Sequence, residues 1–247
     1  MKTDVSIPTS DGAARAFVFT PDAGDGPWPA AILYMDAPAI RPAMFEMGER
    51  LAQAGYYVLL PDVFWRAGPY PPLDIVKLRD GDPEMGALFA RLRASTDAER
   101  QMRDTGAYLD WLTTQPLAKA GKVGVTGYCM GGGIAIRAAG AFPERIAVAA
   151  SFHGGNLATD AEDSPHRLAP KMKAKLLVAG ADADKSFDED QCRRLDAALR
   201  DAGLDAEVGI WKGAKHGWVP TDMPVYDRDH AERHWKELIA LFDGVLR

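Results

Sequence analysis

Hydrophobic and polar positions alternate along the chain in two patterns that predict a succession of strands and helices. Short runs such as Ala30–Tyr34 and Ala174–Ala179 are almost continuously apolar, which is typical of strands covered by helices on both faces. The other predicted strands are Arg15–Phe19, Tyr57–Leu60, Lys122–Thr126, Ile146–Ser151 and Glu207–Trp211.

Between most of these strands the apolar residues recur with the period of a helix. Pro42–Ala54 places Met44, Met47 and Leu51 on one face and is followed by Gly55, a common helix terminator. Strands that alternate with helices favour a mostly parallel, doubly wound α/β sheet. The other predicted helices are Ala98–Thr114, Gly132–Ala141, Gln191–Ala202 and Arg233–Leu246.

The stretch from Trp65 to Pro83 follows neither pattern because it is rich in proline and glycine. We predict an irregular excursion there, of the kind that covers a functional site. With 247 residues, the whole chain, residues 1–247, fits one α/β domain of ordinary size.

Charge and cysteine content limit the partners that we expect. The formal net charge is −6 and no run of Lys and Arg offsets it, so neither nucleic acid nor an anionic membrane is an expected partner. The first residues show no basic segment followed by an apolar run, so no secretory signal or membrane anchor is predicted. Two cysteines in a chain of this length suit a reducing compartment. We expect a cytoplasmic monomer or small homo-oligomer that acts on a small molecule.

One segment combines a strand, a sharp turn and a helix around a reactive side chain. The predicted strand Lys122–Thr126 leads into Gly127-Tyr128-Cys129-Met130-Gly131, and an apolar helical pattern follows. This is the spacing of the nucleophile elbow G-x-S-x-G, with cysteine in place of serine. The glycines remove side chains that would collide in so tight a turn, and a helix N-terminus favours a thiolate at Cys129. The amide of Met130 is the first expected donor to an oxyanion.

The same residues carry a resemblance to a known family. From about Ala30 onwards the chain resembles the dienelactone hydrolases, most specifically in Gly127-Tyr128-Cys129-Met130-Gly131-Gly132 after a Lys-Val-Gly-Val strand. The resemblance implies an α/β-hydrolase fold and a Cys-His-Asp triad that opens lactones, without metal or organic cofactor. We therefore expect a hydrolase of small lactones or carboxylic esters.

The other triad members are expected after the nucleophile, in the order acid and then histidine. His216 lies in a glycine-flanked loop after the last predicted strand, from which its imidazole can return to Cys129. Two acids, Asp182 and Asp184, follow the preceding strand, and either can orient the histidine. We favour Asp184 because the later position reaches farther beyond the strand end.

The loop after Ala30–Tyr34 is the place where this fold contributes its second oxyanion donor, and Ala37 is the expected residue. Many dienelactone hydrolases carry a glutamate at the position of Asp36, where it contacts the nucleophilic thiol. Aspartate is one methylene shorter. We therefore expect Asp36 either to contact Cys129 or to serve as a turn residue.

Substrate-binding residues are less clearly marked. The resemblance implies an arginine shortly after the histidine to hold a substrate carboxylate, but Gly217-Trp218-Val219-Pro220 stands there. A buried carboxylate needs a cation, so we expect weak preference for carboxylate-bearing substrates. Arg41, Arg66 and Arg79 lie in predicted loops; each is more typical of a solvated charge, and Arg79 is kept as a candidate substrate contact. His153, at a strand end, is a second candidate.

Two other classes of protein are weaker alternatives. Thr126-Gly127-x-x-x-Gly131-x-Gly133 also fits the pattern of short-chain dehydrogenases, but several strands precede it and no tyrosine has a lysine four residues later. A non-catalytic small-molecule-binding protein of this fold would not need Cys129 and His216 together. His230 and His234 share a helical face but lack the glutamate and third ligand of a zinc site. We therefore predict no metal site and place both histidines on the helix surface.

Overall fold

Eight strands form one sheet in the computed structural model, which describes residues 1–247. Across the sheet their order is β1-β2-β4-β3-β5-β6-β7-β8. The β1–β2 and β2–β4 pairs are antiparallel, and all other neighbouring pairs are parallel. The strands are β1 Lys2–Thr9, β2 Gly12–Phe19, β3 Ala30–Tyr34, β4 Tyr57–Pro61, β5 Val123–Tyr128, β6 Ile146–Phe152, β7 Lys175–Ala181 and β8 Ala206–Trp211.

Helices cover both faces of this sheet, since β3, β4 and β5 are buried along their whole length. The predicted doubly wound, mostly parallel α/β architecture is therefore confirmed. No helix combines the length and apolar character needed to cross a membrane. The helices are α1 Pro42–Gln53, α2 Ile75–Arg79, α3 Pro83–Ala94, α4 Ala98–Leu112, α5 Met130–Ala141, α6 Glu189–Asp201 and α7 Arg228–Leu246, with 3₁₀ segments at Trp65–Ala67 and Pro165–Lys171.

Aspartate marks the start of most of these helices. In five of them the residue before the first turn is an aspartate whose side chain accepts a hydrogen bond from the backbone amide three residues later. Such a cap satisfies one of the amides that a helix start leaves without a partner. The capping residues are Asp74, Asp82, Asp97, Asp188 and Asp227.

Two parts of the fold differ from the sequence prediction. β1 was not predicted, because this edge strand pairs only with β2 and buries a single side chain, Ile7, so its hydrophobic signal is weak. The region from Trp65 to Pro83 is less irregular than predicted, since it contains a 3₁₀ segment and α2. The unpredicted α3 follows, with only Leu92 fully buried.

The turn from β5 into α5 brings backbone atoms into direct contact. A Cβ on Gly127 would lie 2.0 Å from the carbonyl oxygen of Gly131, and one on Gly131 would lie 2.4 Å from the carbonyl oxygen of Tyr34. Cys129 between them has φ 53° and ψ −116°, a left-handed conformation that non-glycine residues rarely adopt. Glycine at both positions is therefore required for the helix to start where it does.

α7 packs directly on β5 from one face of the sheet. A Cβ on Gly124 would lie 3.0 Å from the Phe242 ring and 2.9 Å from Leu246, so the missing side chain lets the helix approach closely. His234 is fully buried and its Nε2 lies 2.8 Å from the hydroxyl of Tyr128. Burial lowers the pKa of His234 to about 3, so the ring is neutral. The expectation that His234 lies on the surface is wrong because its helical face turns toward the sheet.

Substitution Gly127→Ala should lower the free energy of unfolding by about 3 kcal/mol or more, because the new Cβ would overlap a backbone carbonyl that has no room to move. Gly209 in β8 is a matched control, since an added Cβ there meets no atom within 4 Å. Gly209→Ala should change stability by less than about 1 kcal/mol. Urea denaturation followed by circular dichroism measures both variants, and equal stabilities would contradict this account of the turn.

Candidate active site

The parallel strands end together at one edge of the sheet, where open α/β sheets place their ligands. A cavity of about 700 Å³ opens there, and its lining includes Cys129, Met130, Ala37, Asp184 and His216. The fold thus brings together, from four separate loops, five residues that the sequence singled out. No group of three or more His, Cys, Asp or Glu side chains is arranged to hold a metal ion.

Asp184 is the acid that contacts the histidine. Its Oδ2 lies 2.6 Å from His216 Nδ1, and its Oδ1 accepts hydrogen bonds from the Ser186 amide at 2.8 Å and hydroxyl at 2.7 Å. Burial acts to raise the pKa of Asp184, but the hydrogen bonds from His216 and Ser186 outweigh it and lower the pKa to about 2. The carboxylate is therefore ionised and fixed in orientation at neutral pH.

His216 is held between this carboxylate and the cysteine. Burial acts to lower the pKa of His216, but the hydrogen bond with Asp184 and the nearby Cys129 raise it to about 10. An imidazole in this position can take the thiol proton and remain protonated beside the resulting thiolate. Cys129 also stands at the N-cap of α5, where the helix dipole favours negative charge.

Asp182 forms hydrogen bonds with the loop that carries His216. Its Oδ2 accepts the amide of Gly213 at 2.9 Å, and its own amide donates to the carbonyl of Ala214 at 2.6 Å. The Gly213 hydrogen bond lowers the pKa of Asp182. Asp182 makes no contact with His216 and instead ties the loop after β8 to the loop after β7.

Two residues that line the cavity beside the cysteine have backbone amides without an acceptor in the protein. The amide of Ala37 donates no hydrogen bond within the protein. Met130 is the first residue of α5, so its amide has no acceptor within the helix. Both residues line the cavity, and the oxyanion role expected for their amides stays a prediction.

The side chain of Asp36 forms an ion pair with an arginine. Its two oxygens accept hydrogen bonds from Arg41 at 2.5 and 2.9 Å, and Arg41 also binds Asp222 through Nε at 2.6 Å. Of the two roles expected for Asp36, a contact with the thiol or a turn residue, its side chain takes neither as its main interaction, because both oxygens form this ion pair. Arg41 is only 4% exposed, so the expectation of a solvated charge at this position is wrong.

His153 forms a hydrogen bond with the backbone of the turn that carries Cys129. It is fully buried and does not line the cavity, so the prediction that it binds substrate is wrong. Its Nδ1 accepts the backbone amide of Cys129 at 3.1 Å, and its own amide donates to Ala179 at 2.8 Å. Burial, reinforced by the nearby His216, lowers the pKa of His153 well below its usual range. The ring is therefore neutral and able to accept this hydrogen bond.

The other two arginines considered from the sequence lie away from the cavity. Arg79 ends α2, is mostly exposed and pairs with its neighbour Asp80, so the prediction that it contacts substrate is wrong. Arg66 is largely buried and pairs with Asp11 and Asp104 at 2.7 Å, so it is not a solvated charge. Both side chains are committed to local carboxylates outside the site.

Two arginines that the sequence analysis did not consider line the cavity instead: Arg93 on α3 and Arg137 on α5. Arg137 shares the cavity with Met130 and Gly133, which precede it at helical spacing on the same face. That spacing was visible in the sequence. Arg93 had no such signal, because α3 itself was not predicted.

The sheet order, the strained turn at Cys129 and the histidine–aspartate pair define an α/β-hydrolase with cysteine at the position of the nucleophile. The model of the dienelactone hydrolase family matches residues 14–246. The chain belongs to the dienelactone hydrolase family, which confirms the resemblance found in the sequence.

Known proteins resemble the chain over nearly its whole length. It is 23% identical over 240 residues to a candidate carboxymethylenebutenolidase of Escherichia coli (strain K12), covering 96% of this chain and 84% of that protein. A crystal structure of a candidate dienelactone hydrolase from Klebsiella pneumoniae gives a TM-score of 0.83 at 24% identity, with 98% of each chain covered. A dienelactone hydrolase-like promiscuous phosphotriesterase from metagenomic libraries gives 0.79 at 21% identity, covering 100% of this chain and 99% of that one. The structures show the fold, and the family indicates an ester or lactone hydrolase.

Asp184→Asn should lower kcat by roughly three to four orders of magnitude, because an amide cannot stabilise the imidazolium and can select the wrong tautomer. Asp182→Asn is the matched control, since an asparagine oxygen still accepts the Gly213 amide, and kcat should stay within about threefold. Turnover of p-nitrophenyl acetate by the purified variants measures both. If Asp182→Asn were the crippling change, Asp184 would not be the acid.

The Asp184–His216 pair should make stability depend on pH at both ends. The pKa of Asp184 is about 2, below the unfolded value near 4, so its contribution is complete above about pH 4 and is lost as the pH falls towards 2. The pKa of His216 is about 10, above the unfolded value near 6.5, so its contribution is complete below about pH 6.5 and is lost as the pH rises towards 10.

Urea denaturation of the wild type and Asp184→Asn over a pH series checks this dependence. The difference in unfolding free energy should be largest between about pH 4 and 6.5 and should shrink on either side. A difference that stays constant across the series would show that the pair is not coupled to folding.

Proposed function

We propose that the enzyme hydrolyses small lactones or short carboxylic esters by attack of Cys129 on the substrate carbonyl. The observation that carries the proposal is the 2.6 Å hydrogen bond between Asp184 and His216, with Cys129 lining the same cavity as both. The cavity volume, about 700 Å³, suits a small-molecule substrate. Membership of the dienelactone hydrolase family supports the same reaction.

In the first half of the reaction His216 takes the thiol proton and Cys129 Sγ forms a bond to the carbonyl carbon. The carbonyl oxygen becomes an oxyanion that accepts hydrogen bonds from the amides of Ala37 and Met130. The carbon–oxygen bond to the leaving group then breaks, and His216 donates its proton to the departing alkoxide. The product is a thioester, to which the alcohol of an opened lactone remains joined.

In the second half a water molecule replaces the alcohol. His216 takes a proton from the water as its oxygen attacks the thioester carbon, and the same amides accept the second oxyanion. The carbon–sulfur bond breaks and the thiolate leaves, which releases the carboxylic acid and restores the enzyme. Asp184 stays ionised and stabilises the imidazolium in both halves.

Activity should depend on one of the two thiols. Cys129→Ala should lower the rate of p-nitrophenyl acetate hydrolysis by at least about a thousandfold, because attack begins at that sulfur. Iodoacetamide should abolish wild-type activity, and EDTA should leave it unchanged because no step uses a metal ion.

Cys192→Ser is the matched control. Cys192 lies partly buried on α6, and burial raises the pKa of its thiol, which makes it a poor nucleophile at neutral pH. This variant should keep wild-type activity and wild-type sensitivity to iodoacetamide. Full activity in Cys129→Ala would refute the mechanism.

A further inference from the structure

The guanidinium of Arg41 is buried, yet every one of its hydrogen-bond donors has a partner. An arginine side chain carries five N–H groups, and Arg41 is only 4% exposed. Its Nη1 donates to Asp36 at 2.5 Å and to the carbonyl of Ala39 at 3.1 Å. Its Nη2 donates to Asp36 at 2.9 Å and to Asp222 at 3.1 Å, and its Nε donates to Asp222 at 2.6 Å. A fully bonded buried network of this kind is rigid.

The two carboxylates that Arg41 binds lie in different loops. Asp36 belongs to the β3 loop, residues 35–41, which connects β3 to α1. Asp222 belongs to the histidine loop, residues 212–227, which connects β8 to α7. No backbone hydrogen bond joins these loops, and the bonds between Arg41 and Asp222 are the only side-chain hydrogen bonds that do. Arg41 therefore forms the hydrogen-bonded link between the two loops.

The histidine loop has further ties to the rest of the site. It is joined to the loop after β7 by the 2.6 Å bond between Asp184 and His216 and by the 2.9 Å bond between Asp182 and Gly213. The β3 loop has no hydrogen bond to the loop after β7, and it reaches the histidine loop only through Arg41. The histidine loop is therefore the fixed partner, and the β3 loop is the one that the link positions.

The part of the β3 loop that Arg41 binds encloses Ala37. Asp36 directly precedes Ala37, and Ala39, two residues after it, has φ 71°, a conformation that costs free energy in residues other than glycine. Arg41 binds the side chain of Asp36 and the carbonyl of Ala39. Ala37 lines the cavity, and its amide donates no hydrogen bond within the protein. The direction of this amide therefore depends on where Arg41 is held.

We propose that Arg41 is a positioning residue that keeps the Ala37 amide where the oxyanion formed by attack of Cys129 can accept its hydrogen bond. The inference rests on the proposed function, because that oxyanion arises in the same reaction. Arg41 acts through Ala37, since it does not itself line the cavity. A displacement of about 1 Å at a reacting group can lower a rate by roughly a hundredfold, so loss of the link should reduce turnover in a folded protein.

Asp222→Ala removes the link and leaves the buried pair of Arg41 and Asp36 in place, because Asp222 is the partly exposed partner. Initial rates with p-nitrophenyl acetate measure the effect. Both kcat and kcat/KM should fall together by roughly tenfold to a hundredfold, since the oxyanion is present only in and near the transition state. Arg41→Lys should show the same loss, because an ammonium group cannot bind both carboxylates with paired donors.

Alkylation of Cys129 separates this role from damage to the thiol and histidine or to the fold. Iodoacetamide reacts with the thiolate, and that reaction forms no oxyanion. In a Cys192→Ser background, Asp222→Ala should be alkylated within about twofold of the rate without that change, because the state of the thiolate is unaltered. An alkylation rate that fell as far as kcat would overturn the proposal, since His216 or the fold would then be disturbed.

Thr221→Val is the matched control. Thr221 adjoins Asp222 in the histidine loop, but its hydroxyl donates to Glu46 of α1 at 2.8 Å. This variant removes a tie of the same loop without involving the β3 loop, so kcat should stay within about twofold of the wild-type value. Wild-type kcat in Asp222→Ala or in Arg41→Lys, or an equal loss in Thr221→Val, would contradict the proposed role.

Failure of this inference is distinguishable from failure of the proposed function. If Cys129→Ala hydrolysed p-nitrophenyl acetate as fast as the wild type, the thiol mechanism itself would be wrong. If hydrolysis depended on Cys129 and kcat was unchanged in Asp222→Ala, only the role of Arg41 would be wrong.

Discussion

The contact between backbones where β5 passes into α5 determines the position of every group in the site. Space for only a hydrogen atom at Gly127 and Gly131 lets the helix begin against the end of β3. Cys129 is consequently held in a left-handed conformation, with its amide shared between the Phe152 carbonyl and His153 Nδ1. Once the sulfur is fixed in this way, the loops after β7 and β8 need only deliver a carboxylate and an imidazole to it.

The buried charges around the turn at Cys129 fall into two separate groups. Arg41 binds Asp36 and Asp222, and Asp184 binds His216. Arg41 binds both oxygens of Asp36 and also reaches Asp222, which removes from the thiol a carboxylate that the family resemblance would have placed beside it. Of Asp36 and Asp184, only Asp184 is therefore hydrogen-bonded to His216. A buried ion pair is costly to desolvate and repays that cost only with good geometry and several hydrogen bonds, and Arg41 has both.

What the sequence could predict depended on how local the signal was. The strand and helix alternation, the elbow and the order of acid and histidine follow from short patterns and chain order, and they led directly to the cavity. β1 and α3 were not predicted because they bury few side chains.

The side-chain contacts of two arginines could not be predicted either. The partners of Arg41 include Asp222, which lies 181 positions away in the chain. The place of Arg93 depends on α3, a helix whose hydrophobic residues show almost no periodicity. His153 looked like a pocket residue because a strand end marks the edge of the sheet but not which side of it a side chain occupies.

The packing of α7 on β5 has a consequence for how the protein is made. Arg228, where the helix begins, follows the end of the strand at Tyr128 by 100 positions. At a synthesis rate of roughly 5–20 residues per second, one face of the central strand leaves the ribosome about 5–20 seconds before the helix that covers it. During this interval the nascent chain exposes a hydrophobic surface to chaperones and to other unfinished chains. Cys129 is thus translated at mid-chain, but the core that supports it can close only after the residues up to Leu246 have emerged.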